Sequence, residues 1–220
     1  MNTNSHSSIK LNGILSRPLA PRQERSRETE QRFLAAAREL LRERSFSDLS
    51  VAELAARAGR SVGVFYRRFP SKEEFLDLLM RNYFMRGIEL CEKVQPSADP
   101  AATFSECLHA FYRHIVDNRN LWHAALQQSA NDPDYWTRYG AYREAGKATI
   151  HAKVEEARGR VLTPEEMRRL ALSQQVFNSV INNQIINAPG PLELEDADFF
   201  PQLCEIVLDI ARLDRLRDQA

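Results

Sequence analysis

The sequence predicts an all-α protein, with a small three-helix head at the N-terminus and a larger helical body behind it. Three observations lead there. Apolar residues recur at three- and four-residue intervals along most of the chain. Helix-capping signals stand in front of several of these stripes. No segment alternates apolar and polar residues as a half-buried strand does. The 220 residues, 43% hydrophobic and 27% charged, have ordinary globular composition, which excludes a fibrous or wholly disordered chain.

Residues 1–22 are rich in Ser, Asn and Pro and hold few large apolar groups, so a disordered tail is expected there. They carry no compact apolar run behind a basic start, so no secretory signal is expected and the protein is placed in the cytoplasm. From Gln23 the pattern turns helical. Phe33, Ala37, Leu40 and Leu41 make one stripe, ending near Arg44. Ser50-Val51-Ala52-Glu53 reads as a capping box opening a second helix, with Val51, Leu54, Ala55 and Ala58 inward and Gly59 as its left-handed stop. A third stripe, Val62, Phe65 and Phe69, ends at Pro70. Ser71-Lys72-Glu73-Glu74 is then a second box, opening a long helix to about Val94.

Beyond the Pro96–Pro100 break, helices are expected over 101–118, 121–129 and 133–160. Thr163-Pro164-Glu165-Glu166 orders an N-cap, a first-turn proline and a capping glutamate for a helix to about Asn187. A last helix is expected over 197–216. These readings divide the chain into a tail (1–22), a head (23–75) and a body (76–220).

Net charge is zero, yet residues 1–75 carry 14 basic and 9 acidic groups, whereas the remainder is more acidic than basic. A basic head on an acidic body is the footprint of a surface that meets phosphates. Cys91, Cys107 and Cys204 are odd in number and widely spaced, which fits reduced, buried thiols better than a disulfide framework or a metal pair.

Two short helices joined by a tight glycine-containing turn describe a helix-turn-helix. The string from Phe46 through Leu49-Ser50-Val51, Glu53-Leu54-Ala55 and Ala58-Gly59, followed by Gly63, Phe65-Tyr66 and Phe69-Pro70-Ser71-Lys72-Glu73, resembles the head of the TetR family of transcription regulators. The resemblance covers about 50 residues. It implies that Tyr66 and Lys72 touch the phosphates of double-stranded DNA, that Ser50 does so from the second helix, and that Gly63, Arg67 and Arg68 face the groove beside Arg60 and Ser61. On a helical wheel set by buried Phe65, positions 63, 64 and 67 point away from the core. Arg67 and Arg68 are the candidate base readers, since a guanidinium donates two hydrogen bonds to guanine, with phosphate contact as the alternative. Three residues depart from the family pattern: Arg60 replaces a small apolar residue, Val64 a hydroxyl, and Ser45 a glycine. Arg22, Arg25 and Arg27 suit either a basic arm on DNA or a solvated helix start.

In the body, the segment 170–192 carries no charge but seven amides, which is too polar for a membrane span. Val176, Phe177, Val180, Ile181 and Ile185 there, with Phe200, Leu203, Val207 and Ile210 in the last helix, are the expected seams. The resemblance implies that these two helices pair with their mates in a homodimer, which matches a palindromic operator. Aromatic residues crowd the stretch between Pro100 and Ala145. As plain core they need no further explanation, but the resemblance implies an effector pocket, here assigned to Phe111, Trp122, Tyr139, Tyr142, Phe177 and Asn178. Apolar walls with a few amides suit a small uncharged organic effector. No cofactor or metal site is expected, and His109, His114, His123 and His151 fall in no catalytic motif. The expected function is a ligand-responsive repressor. The alternatives are an architectural DNA-binding dimer without effector and, less in keeping with the motifs, a helical enzyme.

Overall fold

The computed structural model describes residues 21–213, with side chains from Glu24 onward. Residues 1–20, and with them most of the expected tail, lie outside the described residues. Helix α1 (Pro21–Leu40), α2 (Val51–Arg57) and α3 (Val62–Arg68) form the head, and α4 (Lys72–Glu92) leads out of it. Their common centre is a knot of four buried phenylalanines: Phe33 from α1, Phe65 from α3, Phe69 just beyond α3 and Phe75 from α4. The rings meet edge-on or tilted, with centroids 5.3 Å apart for Phe33 and Phe65, 5.4 Å for Phe65 and Phe75, and 4.8 Å for Phe69 and Phe75. Such pairs add about 1 kcal/mol each to the burial of their area.

The capping box at Ser50 forms with both bonds: Glu53 N–H donates to Ser50 Oγ and Ser50 N–H to Glu53 Oε2. At Ser71 only one half forms, the Glu74 N–H bonding to Ser71 Oγ. Gly59 stops α2 with φ +63°, the left-handed region where a side chain is strained. Helix α1 ends four residues before the expected Arg44. The amides of Arg42 and Glu43 bond back only three residues, a tightened last turn that swings Phe46 and Leu49 into the core. Ser45 holds this corner through Asp48 Oδ2 at 2.6 Å.

The body comprises α5 (Pro100–Asp117), α6 (Arg119–Asn131), α7 (Gly140–Arg158), α8 (Pro164–Asn187) and α9 (Phe199–Ala211). The single helix expected over 133–160 is instead a 3-10 turn, Tyr135–Tyr139, followed by α7. The tighter coil buries Tyr135 and Tyr139 completely, and Tyr139 Oη donates to Asp77 of α4 at 2.5 Å. Helix α9 stops at Ala211, short of the expected Leu216, and 214–220 are not among the described residues. Among the described residues no strand occurs and no helix is long and apolar enough to cross a membrane.

The boundary drawn at residue 75 falls inside α4. This helix packs in the head through Phe75 and against α5 and α7 in the body, so the two parts share a continuous rod. Asn120 of α6 adds a second tie by donating to the Leu41 carbonyl at 2.9 Å.

Candidate DNA-facing surface and effector cavity

Helix α3 presents an outward face. Ser61 caps it by accepting from the Val64 N–H at 3.3 Å. Phe65 anchors its inner side, which leaves Val62, Gly63, Tyr66 and Arg67 exposed. Val62 was expected to be buried and is 40% exposed; Val64 was expected outward and instead packs partly against the core. The pitch alone predicts the reverse, since position 62 is turned about 60° from Phe65 and position 64 about 100°; the difference lies in which side of α3 the neighbouring helices cover. A side chain at Gly63 would meet nothing nearer than Ser61 Oγ at 3.9 Å, so the fold leaves open space there. Tyr66 stacks edge-on against Phe65 with its hydroxyl directed outward and unbonded among the described residues.

The other candidate cations are held back by the head itself. Arg68 donates to Ser26 Oγ at 2.7 Å and pairs with Glu30, both on α1, so its guanidinium is turned from the outward face. Arg60 bonds the Gly59 carbonyl and stands 4.0 Å from Glu28. Arg67 alone of the α3 arginines has no carboxylate partner among the described residues, which separates it from Arg68 as a base reader. Lys72 donates to the Ser47 carbonyl at 3.1 Å and lies 4.7 Å over the Phe46 ring, and partial burial lowers its pKa from the usual value. Ser50 is engaged with Glu53, whose carboxyl is held down at about 2 by the bond from Arg44 and then by Ser50. Arg25 and Arg27 are exposed within the first turns of α1, where they are part of a helix and not of an arm. Any arm would lie in residues 1–20, outside the described chain.

In the body a cavity of about 630 Å³ opens between α4, α5, α6, α7 and α8. That volume lies within the range of sites for drug-sized molecules. Phe111, Trp122, Tyr142, Phe177 and Asn178 line it as expected, joined by Tyr83, Phe84, Trp136, Gln174 and Asn182. Tyr139 does not: its ring is 1% exposed and its hydroxyl is spent on Asp77. Tyr112 also turns away, stacking on Phe199 and bonding the Leu194 carbonyl. Arg143 and Lys147 stand in the wall and no carboxylate does. The wall thus carries two cations beside the aromatic and amide groups that the sequence pointed to, a feature hidden because α7 reads as an ordinary charged surface helix.

Two of the histidines are held by their neighbours. His114 Nε2 donates to the Tyr83 carbonyl at 2.9 Å and its Nδ1 accepts from Asn118, while burial lowers its pKa. His109 is packed on Phe200. All three cysteines are unpaired and buried. Among the described residues no group of His, Cys, Asp or Glu is placed to hold a metal.

Residues 33–79, from the phenylalanine knot to the third turn of α4, match the family model described as bacterial regulatory proteins, tetR family. The head is thus of the TetR type. The HTH-type transcriptional regulator EthR of Mycolicibacterium smegmatis is 26% identical over 147 residues, 66% of this chain and 67% of that protein. An uncharacterized HTH-type regulator, YuxN of Bacillus subtilis, is 24% identical over 105 residues, covering 47% of this chain and about a third, 36%, of that protein. The fold as a whole matches a TetR regulator of Haloarcula marismortui (TM-score 0.64, 15% identity, 84% of this chain and 97% of that one). It also matches the TetR-family regulator PfmR of Thermus thermophilus (TM-score 0.57, 22% identity, 81% and 97%). The chain is therefore a transcription regulator with a DNA-binding helix-turn-helix.

Proposed function

We propose that this TetR-family regulator is a dimeric repressor which holds a palindromic operator through α3 and releases it when a small organic molecule enters the cavity. The observation that carries this reading is the path of α4. Phe75 belongs to the phenylalanine knot behind α3, whereas Tyr83, Phe84, Gly87 and Ile88 form one wall of the cavity. Phe75 and Phe84 are separated by about 13 Å of unbroken helix. A ligand that displaces the wall therefore displaces the support of the recognition helix, and the two sites bias one equilibrium.

Val62, Gly63, Tyr66 and Arg67 are the groove-facing residues in this proposal, with Arg67 reading bases and the Tyr66 hydroxyl on a phosphate. Ser50, Ser61 and Lys72 act mainly by fixing α2, α3 and the start of α4, and any phosphate contact by Lys72 comes at the expense of its bond to Ser47. Dimerisation is supported by Leu172, Val180 and Ile186 on one side of α8 and by Ile206 of α9, all of which a single chain leaves 40–56% exposed. A large built cavity favours the sensor over a scaffold without effector, whose body would be packed shut.

The experiment is selection of bound duplexes from a random pool, followed by titration of the selected duplex with candidate effectors. A two-fold symmetric motif released by a cavity ligand is the expected result. An asymmetric motif, or ligands that bind and leave the complex intact, would leave the chain as a regulator of another kind.

A further inference from the structure

We infer that the effector is an amphipathic organic acid, its carboxylate held between Arg143 and Lys147 and its apolar body lying among the aromatic rings of the cavity. The inference rests on the cavity being the sensor site and adds the sign of the ligand's charge. Arg143 and Lys147 are one turn apart on α7 and so face the same way. Both line the cavity, and no Asp or Glu among the described residues lines it with them. Arg143 has no ion-pair partner among the described residues. Lys147 stands 2.5 Å from Glu144, whose side chain is 72% exposed, and a pair so open to water contributes little and can be exchanged for a ligand carboxylate at the mouth of the cavity, where Arg143 is also exposed.

A second observation points the same way. Gln174 lines the opposite wall, is only 8% exposed, and its Nε2 has no acceptor. A buried donor left unmade costs about 1–3 kcal/mol, and an oxygen-bearing ligand supplies what it lacks. Asn182 Oδ1 accepts from Trp122 Nε1, which fixes the side chain and leaves its amino group free to donate. The charged groups of the wall are both cations, and beside them stands a buried donor without an acceptor, which favours a ligand that brings acceptors and negative charge.

Both tryptophans of the chain line the cavity, so intrinsic fluorescence of the full-length protein reports this site alone. Decanoate, decanol and decylamine, titrated below their micelle-forming concentrations, present one apolar chain with negative, neutral and positive heads. Decanoate should quench at least tenfold below decanol, with decylamine weakest. Replacing both cations, Arg143→Gln with Lys147→Gln, should bring decanoate down to decanol's affinity and leave decanol unchanged. Equal binding of decanoate and decanol by the unmodified protein, or a preference that survives the double replacement, overturns the acid assignment while the cavity stands as an apolar sensor. If none of the three quenches tryptophan, the sensor reading is lost and the inference goes with it.

Discussion

The indole Nε1–H of Trp122 donates to Asn182 Oδ1 at 2.8 Å, a side-chain bond that joins α6 to α8 across the floor of the cavity. Trp122 also packs against Tyr83 and Trp136, with centroids 5.1 and 5.4 Å away. It is thus both wall and core. Truncation to alanine would cost about 3–5 kcal/mol and confuse the two roles. Trp122→Phe keeps the ring and removes the donor. The expected outcome is a fold that survives, an unchanged affinity for operator, and a response to effector that needs several-fold more ligand. A response identical to that of the unmodified protein in a DNA-release titration would place the sensing elsewhere.

Tyr66 and Lys72 should separate in a way the sequence does not suggest. The Tyr66 hydroxyl has no partner among the described residues, so Tyr66→Phe should leave the melting temperature unchanged and weaken binding to operator and scrambled duplex alike. Lys72→Ala loses its bond to Ser47 and its place over Phe46, and should lower stability by about 1 kcal/mol as well as DNA affinity. Thermal melts beside binding isotherms at fixed salt decide it. A Tyr66→Phe variant with unaltered binding removes that phosphate contact.

Gly63 has no structural need to be glycine, since it sits inside α3 with open space where a side chain would go. Gly63→Ala should therefore stabilise the free protein, by up to about 1 kcal/mol. The same methyl group would stand between α3 and the groove, and DNA affinity should drop. Stability and binding moving in opposite directions is the signature; tighter binding would show that α3 does not approach DNA at this position.

The head was legible because its signals are local. Ser50 with Glu53, Gly59, and the inward set Phe33, Phe65 and Phe69 each read directly from spacing. What could not be read is where long side chains go. Arg67 and Arg68 are equivalent as letters, and only the position of α1 shows that Ser26 and Glu30 claim Arg68. In the body, Tyr139 and Tyr142 look alike in sequence, yet the 3-10 turn buries the first against Asp77 and leaves the second on the cavity. Arg143 and Lys147 were invisible as site residues because nothing in the pattern of α7 says which face its neighbours enclose.

Two of the valines expected in the dimer seam part company in the structure. Val180 is 40% exposed on α8, but Val207 is fully buried between α8 and α9 within one chain. Val180→Glu should yield a folded monomer by light scattering, with the helical circular dichroism of the unmodified protein. Val207→Glu should unfold it, because an unpaired charge enters the core. A Val180→Glu protein that remains dimeric at micromolar concentration would move the seam away from α8.

Acid stability should depend on a buried cluster at the far end of the body. Glu166, in the first turn of α8, takes bonds from Arg160 at 2.7 and 2.9 Å, from the Thr163 N–H at 2.7 Å, and pairs with buried Arg158. Arg158 also donates to the Leu213 carbonyl at 3.0 Å, so one carboxylate fastens α7, α8 and the end of α9. The Arg160 bonds hold the Glu166 carboxyl well below its ordinary 4.5, at about 2, against the burial that pushes it up. A depressed folded-state pKa contributes stability that is fully present above the unfolded value and is lost as the pH falls through the folded one. The window here runs from about 4.5 down to about 2. Glu166→Gln leaves the Arg158 charge uncompensated, and should cost about 3 kcal/mol in urea unfolding at neutral pH. The difference from the unmodified protein should narrow steadily as the pH is lowered through that window, since protonation removes the same charge from the native protein. A difference that stays constant down to pH 3 would mean that Glu166 acts through its shape and hydrogen bonds, and that its charge contributes nothing.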